Sequence, residues 1–334
     1  NFTYATLAPT RISVLNPDIC RTCVGKECVN GSYSPQPIIR LDSIPTAAAP
    51  VEVRHGPQGT LGCGTELFAP QIRSNMDCTL CLDCVRACPH QNATLAARPF
   101  GRELIEIENA PRRWDITYLY VALTAMAVVN AFGMVPPVYD LMQQMADALG
   151  LTALGWSDDA LEFATLTLIF VAGSLLLPAV ILLGGQWLSR RLTGTLKRYT
   201  ARQVAGAFST AFIPVGMGIW IAHYGFHFLT GLTSLVPVIQ TFLIDHRIYL
   251  LGTRPDWSLA AAPSPELIGV LQVIALGGGF LWSLSIANNA AVRLYRRSAP
   301  IGLLPWALAL FALILAAVWI FSQPMEMRGT ILFD

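Results

Sequence analysis

The sequence predicts a chain in two parts: an α+β head over residues 1–113 and an all-α polytopic membrane domain of about five helices over residues 114–334. Three observations carry this. Apolar residues make up 54% of the chain and charged residues 13%, about half the roughly 25% charged share of a soluble domain. The apolar residues are segregated: the first part is polar and rich in turn residues, and the rest is mostly long apolar runs. All eight cysteines fall between Cys20 and Cys88, so the two parts differ in chemistry as well as hydropathy.

These features exclude a plain soluble enzyme, a disordered chain and a secreted disulfide scaffold. A formal net charge of +1 supplies no basic field, so no nucleic-acid partner is expected. The sequence opens on Asn1 rather than Met, which leaves a trimmed or partial chain open, and no signal peptide is visible at this start.

Five apolar stretches are long enough for a ~30 Å hydrocarbon core, which takes ~20 helical residues. They run over Ile116–Val135, Phe163–Leu188, Val204–Phe228, Leu267–Ala287 and Leu303–Ser322. Pro136-Pro137, Asp158-Asp159, the arginines after Leu188, and Pro300 mark the breaks. Pro178, Pro214 and Pro305 lie inside or at the start of spans, where neighbouring helices satisfy the freed backbone groups. Ser234–Leu251 is a weaker sixth candidate, read as an interfacial or re-entrant segment. In the outer loop, Gln143, Gln144 and Asp147 opposite Leu141, Met145 and Leu149 suggest a short interfacial helix.

Orientation follows from basic residues in short flanks. Arg112, Arg113, Arg190, Arg191, Lys197, Arg198, Arg202, Arg293, Arg296 and Arg297 fall on one side, against Arg247, Arg254 and Arg328 on the other. The head is therefore expected in the cytoplasm and Asp334 outside.

The strongest motif is Cys78-x2-Cys81-x2-Cys84-x3-Cys88-Pro89. Three thiolates at this spacing wrap one face of a cubic [4Fe–4S] cluster, and the cysteine before proline serves a second cluster. Cys20-x2-Cys23-x4-Cys28 is a looser form of the same loop, with Cys63 following after 34 intervening residues. Structural zinc is the competing reading, although zinc sites usually pair cysteines at separated positions. Disulfides would not persist on a reducing side of the membrane.

The stretches CRTCVGKEC and SNMDCTLCLDCVRACPH, with AHYGFHFLTG and QPMEMRG in the membrane part, resemble the membrane-anchored polyferredoxins of the NapH, CcoG, NosR and FesM types, and are most similar to the FesM-like branch. The resemblance implies an α+β ferredoxin-like head with two [4Fe–4S] clusters, in a multi-pass protein of the bacterial inner membrane. By the ligand exchange of two-cluster ferredoxins, Cys20, Cys23, Cys28 and Cys88 hold one cluster, and Cys63, Cys78, Cys81 and Cys84 the other. The long Cys28–Cys63 interval and Gly64 after Cys63 depart from the ferredoxin pattern, so Cys63 is the weakest member of the set.

In the third span His223 and His227 stand at i and i+4 on one helical face, near the outer end. They read either as interfacial residues in an aromatic belt with Trp220 and Tyr224, or as a cofactor site for haem, quinone, a proton or a metal. Together with His246, Met134, Met142, Met145, Met325 and Met327 they form a soft-ligand collection suited to Cu(I). Gly277-Gly278-Gly279 reads as close helix packing. Tyr118, Gln186, Trp187, Arg190, Asn288 and Asn289 read either as helix-end anchors or as the lining of a quinone headgroup pocket. Arg21, Lys26 and Arg86, beside cluster ligands, either offset charge there or are ordinary solvated cations.

The expected function is an electron-transfer subunit of an oxidoreductase complex. It would relay electrons between a cytoplasmic ferredoxin-like or cytochrome carrier and the quinone pool or a partner redox subunit. Two alternatives stand beside it: a transmembrane reductase feeding a haem, copper or cytochrome site on the outer face, and a non-redox membrane anchor that uses metal only for folding.

Overall fold

A computed structural model describes residues 5–32, 56, 57, 59–106 and 113–324. The chain divides into two units, Asn1–Asn109 and Ala110–Asp334.

In the first unit, strand β1 (Thr10–Val14) pairs antiparallel with β2 (Ala93–Ala97), Ile12 opposite Leu95. Helix α1 (Pro17–Thr22) starts where Asn16 accepts from Asp18 N and Pro17 occupies the first turn, the position where its missing N–H costs nothing. The one-turn helices α2 (Glu27–Asn30), α3 (Asp83–Arg86) and α4 (Arg102–Ile105) and a 3-10 turn, Ala69–Gln71, complete the regular structure among the described residues. Ile12, Ala69 and Ala93 pack with Cys28, Cys78 and Cys84, so three thiols belong to the apolar core itself. A buried ion pair, Arg98 Nη2 to Glu103 Oε2 at 2.6 Å, closes the far end, with side chains only 6% and 3% exposed. Glu103 also accepts from Asn75 N at 3.1 Å and from the Ser74 hydroxyl.

The expected α+β ferredoxin-like head on five spans is corrected here. Among the described residues there is a single sheet of two five-residue strands, and the remaining regular structure is helical. The cysteine runs are turns and one-turn helices. Lys26, Leu80, Leu82 and Gln91, all within or just after those runs, hold φ of 48°, 56°, 68° and 48°, the left-handed region that reverses a chain and that non-glycine residues rarely adopt.

Among the described residues the second unit has four helical stretches long and apolar enough to cross a membrane: Trp114–Phe132, Asp158–Leu192, Ala201–Gly231 and Pro265–Phe321. These elements are α5 (Trp114–Phe132), α6 (Pro137–Ala148), α7 (Asp158–Val171), α8 (Leu177–Leu192), α9 (Ala201–Ser209), α10 (Phe212–Gly231), α11 (Leu235–Asp245), α12 (Pro265–Tyr295) and α13 (Ala299–Phe321). The expected fourth and fifth spans lie in one stretch. Arg293, Arg296, Arg297 and Pro300 read as a loop, but Arg296–Ser298 is a single 3-10 turn with Arg296 at φ 49°. Phe280 and Phe311, on opposite sides of that turn, meet at 6.2 Å, so α12 and α13 fold back on one another.

Pro178 lies just after a π-turn, Ala172–Leu176, that joins α7 to α8. Both interrupt the i→i−4 ladder. The Tyr118 hydroxyl reaches across from α5 to the carbonyls of Ser174 and Leu175, at 3.1 and 2.8 Å. Helices α10 and α12 cross where a Cβ on Gly218 would stand 2.5 Å from Ala275 O and one on Gly279 2.7 Å from Pro214 O. Of the three consecutive glycines only Gly279 makes this approach; Gly277 and Gly278 have open space. At the same crossing Val215 N donates to Ser283 Oγ at 2.9 Å. Phe208 and Trp306 stack at 4.8 Å in the core.

Helix α11, at 11 residues, is too short to span. Helix α6 turns Val138, Met142 and Ala146 inward, with Leu141 and Met145 packed beside Ile169, and leaves Gln143, Gln144 and Asp147 exposed.

Candidate functional site

The turns of the head bring the eight cysteines into two neighbourhoods. Cys20 and Cys23 come from α1 and its end, Cys28 from α2, and Cys88 from the turn after α3. These four, with Ile19, Glu27, Phe68, Pro89, His90 and Asn92, line one cavity. Burial pushes the Cys28 thiol up; Cys88, Cys23 and Cys20 push the same way, against a backbone hydrogen bond from Ala69. Cys20 is likewise raised by burial, in part offset by a hydrogen bond from Asn92, with Cys88 and Cys23 again nearby.

Cys78, Cys84, Cys63 and Cys81 make the second neighbourhood. Burial pushes the Cys84 thiol up to about 12, reinforced by Cys78, Cys63, Cys28 and Cys81. Cys28 in that group reflects the place of α3, which carries Cys84 toward one set while the following turn delivers Cys88 to the other. Burial also raises Cys78. Cys63 differs: burial raises it, but hydrogen bonds from the Thr65 side chain and from the backbone of Leu67 and Thr65 outweigh that and lower it. Cys63 N donates to Cys28 O at 3.1 Å, which fixes the end of the long interval beside α2. All eight cysteines are free thiols. Among the described residues no three His, Cys, Asp or Glu side chains form a group arranged for a metal ion.

Of the three cations near these loops, Lys26 alone turns inward. Its ammonium donates to the Cys20 carbonyl and lies 4.7 Å above the Phe68 ring. Arg21 pairs with Asp18 at 3.0 Å in solvent, and Arg86 lies 3.8 Å from Asp83.

In the membrane unit His223 is 1% exposed, deeper than an aromatic-belt position. Its ring centroid lies 4.9 Å from that of His227 and 4.9 Å from Tyr224, which in turn stacks on Trp220 at 5.1 Å. His223 Nε2 lies 3.4 Å from the Asn130 amide nitrogen. His223 Nδ1 and His227 Nε2 are buried with no hydrogen-bond partner among the described residues.

The wider soft-ligand collection is not drawn together. His246 Nδ1 lies 2.8 Å from Phe242 O at the end of α11. Met142 is core, with Met145 packed against it. Met325 and Met327, like Arg112, Arg328 and Asp334, lie outside the described residues. Among the six quinone-pocket candidates, Tyr118 is committed to the π-turn. Gln186 accepts from Arg190 at 3.0 Å, and the same guanidinium donates to Leu196 O at 2.7 Å. Trp187 and Asn288 are exposed.

No family model matches the chain, and neither a curated protein nor a solved structure matches it. Two site residues were invisible to motif reading. Asn92 is four positions past Cys88 but acts on Cys20, 72 residues away. Asn130 reaches His223 from another helix. A polar amide inside an apolar span is the one sequence signal that could have found Asn130.

Proposed function

We propose that this protein is a membrane-bound electron-transfer subunit that relays electrons between a cytoplasmic carrier and the quinone pool or a partner redox subunit. Two [4Fe–4S] clusters would be held by Cys20, Cys23, Cys28 and Cys88 and by Cys63, Cys78, Cys81 and Cys84. The observation that carries the reading is the cavity lined by the first four of these thiols. Cys88 is distant in sequence from the other three, whose Cys-x2-Cys-x4-Cys spacing is a looser form of a cluster loop. When bound, such clusters supply one-electron transfer without proton uptake.

The chain's own residues support that task. Apolar burial excludes water from Cys28, Cys78 and Cys84. Main-chain and side-chain N–H groups aim at sulfur, and Lys26 places a positive charge beside the negative thiolates. The distribution of basic residues supports a cytoplasmic head in a bacterial inner membrane, and the cysteine spacing retains its similarity to the membrane-anchored polyferredoxins. A soluble carrier and further subunits of a redox complex are the implied partners.

The experiment is quinone reduction by the purified protein in lipid vesicles, driven by a chemically reduced soluble carrier. Turnover that disappears in Cys20→Ala and Cys84→Ala supports the reading, and turnover that survives both rejects it. A second reading, delivery to a haem, copper or cytochrome acceptor on the outer face, draws on the two orphaned nitrogens of His223 and His227.

A further inference from the structure

We infer that Asn92 is a positioning residue that sets the reduction potential of the cluster held by Cys20, Cys23, Cys28 and Cys88, an inference that rests on the proposed cluster reading. Asn92 is 2% exposed, and every polar group of its side chain is committed. Its Oδ1 accepts from Asn16 N at 2.8 Å. Its Nδ2 donates to Asn16 O at 2.7 Å and to Cys20 Sγ at 3.0 Å. Its main-chain N–H donates to Cys88 Sγ at 3.3 Å. The Asn16 backbone fixes the amide's orientation, because only oxygen can accept from Asn16 N. One Nδ2 proton faces Asn16 O, and the other is left for Cys20.

One residue therefore directs two N–H groups at two of the four thiols in the cavity, one from each end of the chain segment that encloses it. Hydrogen bonds to ligand sulfur are a principal control of cluster potential. Each withdraws electron density from a thiolate and favours the reduced state, which carries one more negative charge. Asn92 thus raises the potential of this cluster. In the other set, the Thr65 hydroxyl lies beside Cys63 Sγ at 3.3 Å, and backbone N–H groups reach Cys63 and Cys78, so none of those contacts involves Asn92.

The test is an EPR-monitored redox titration of the full-length protein in detergent. Asn92→Asp keeps the acceptor for Asn16 N and loses both Nδ2 protons; neutral Asn92→Ala removes the donor without adding charge. Both shift the midpoint of one cluster to lower potential, Asp further than Ala, and leave the other midpoint in place. Should either variant fail to load iron, the wild-type protein decides. With asparagine labelled by ¹⁵N in the side chain, electron–nuclear double resonance shows a nitrogen coupling on one reduced cluster. Clusters present with unmoved midpoints, or with no such coupling, overturn the role of Asn92 alone. A protein without iron overturns the cluster reading and this role together.

Discussion

His223 and His227 face each other edge to face in α10, with ring planes 74° apart, and each keeps one buried ring nitrogen without a partner among the described residues. An unpaired buried polar group costs about 1–3 kcal/mol. A protein that keeps two of them adjacent is spending stability on something other than packing. The His223→Leu/His227→Leu double variant is therefore expected to match or exceed the wild type in thermal stability. Its cluster EPR signals stay intact, while electron delivery to quinone or to an outer-face acceptor slows at least tenfold. Unchanged turnover in vesicles returns the pair to a packing role, and loss of the cluster signals places it in the wrong part of the electron path.

The assignment of Cys88 to the set of Cys20, Cys23 and Cys28 has a direct genetic consequence. Cys88→Ser damages the cluster of that set more than the cluster of its sequence neighbours Cys78, Cys81 and Cys84. EPR of the reduced variant, compared with Cys20→Ala and Cys78→Ala, identifies which signal is lost. Loss of the signal that Cys78→Ala removes contradicts the pairing.

The buried Arg98–Glu103 pair holds the segment after β2 against Ser74 and Asn75. Removing one partner strands the other charge in the interior, at a cost of about 3–5 kcal/mol. Arg98→Ala is expected to destabilise the head by that order. It should appear as faster amide hydrogen exchange in Thr10–Val14 and Ala93–Ala97, with helix α12 unaffected. Equal protection in both proteins would show the pair to be dispensable.

Tyr118 offers a sharper test in the membrane unit. Tyr118→Phe leaves the carbonyls of Ser174 and Leu175 short of a donor, at about 1 kcal/mol. Pro178→Ala returns a backbone N–H to that turn. In the double variant the cost of Tyr118→Phe shrinks, as measured by denaturant unfolding in detergent. Strictly additive costs would separate Tyr118 from the interrupted ladder.

The two close glycines predict a positional contrast. Gly279→Ala and Gly218→Ala force a methyl group against a carbonyl of the facing helix and lower the melting temperature in detergent. Gly277→Ala and Gly278→Ala leave it unchanged, because nothing stands within 4 Å of the added carbon.

These contrasts show what the sequence makes legible. Cysteine spacing is a local property, so the runs at Cys20–Cys28 and Cys78–Cys88 were readable as ligand loops, and apolar runs marked the helices α5, α8, α10, α12 and α13. The left-handed turns at Leu80 and Leu82 were not readable, because bulky residues there run against local propensity; the expected α+β ferredoxin-like head failed because the described residues form a single sheet of two short strands. The reversal between α12 and α13 was legible in three arginines and Pro300, but its tightness was not, because those residues look like a loop whether the chain turns in three residues or in ten. The Tyr118 and Asn92 bonds join positions more than 50 residues apart, beyond any periodicity. The long Cys28–Cys63 interval lies largely outside the described residues.

The central claim is that the eight thiols hold two [4Fe–4S] clusters. It is tested most directly by metal analysis, together with visible and low-temperature EPR spectra, on protein purified without oxygen. The account predicts about eight iron atoms per chain, a broad brown absorption that bleaches on reduction, and two reduced-cluster signals. A colourless protein carrying about two zinc ions per chain would contradict it and leave a metal-stabilised membrane anchor in its place.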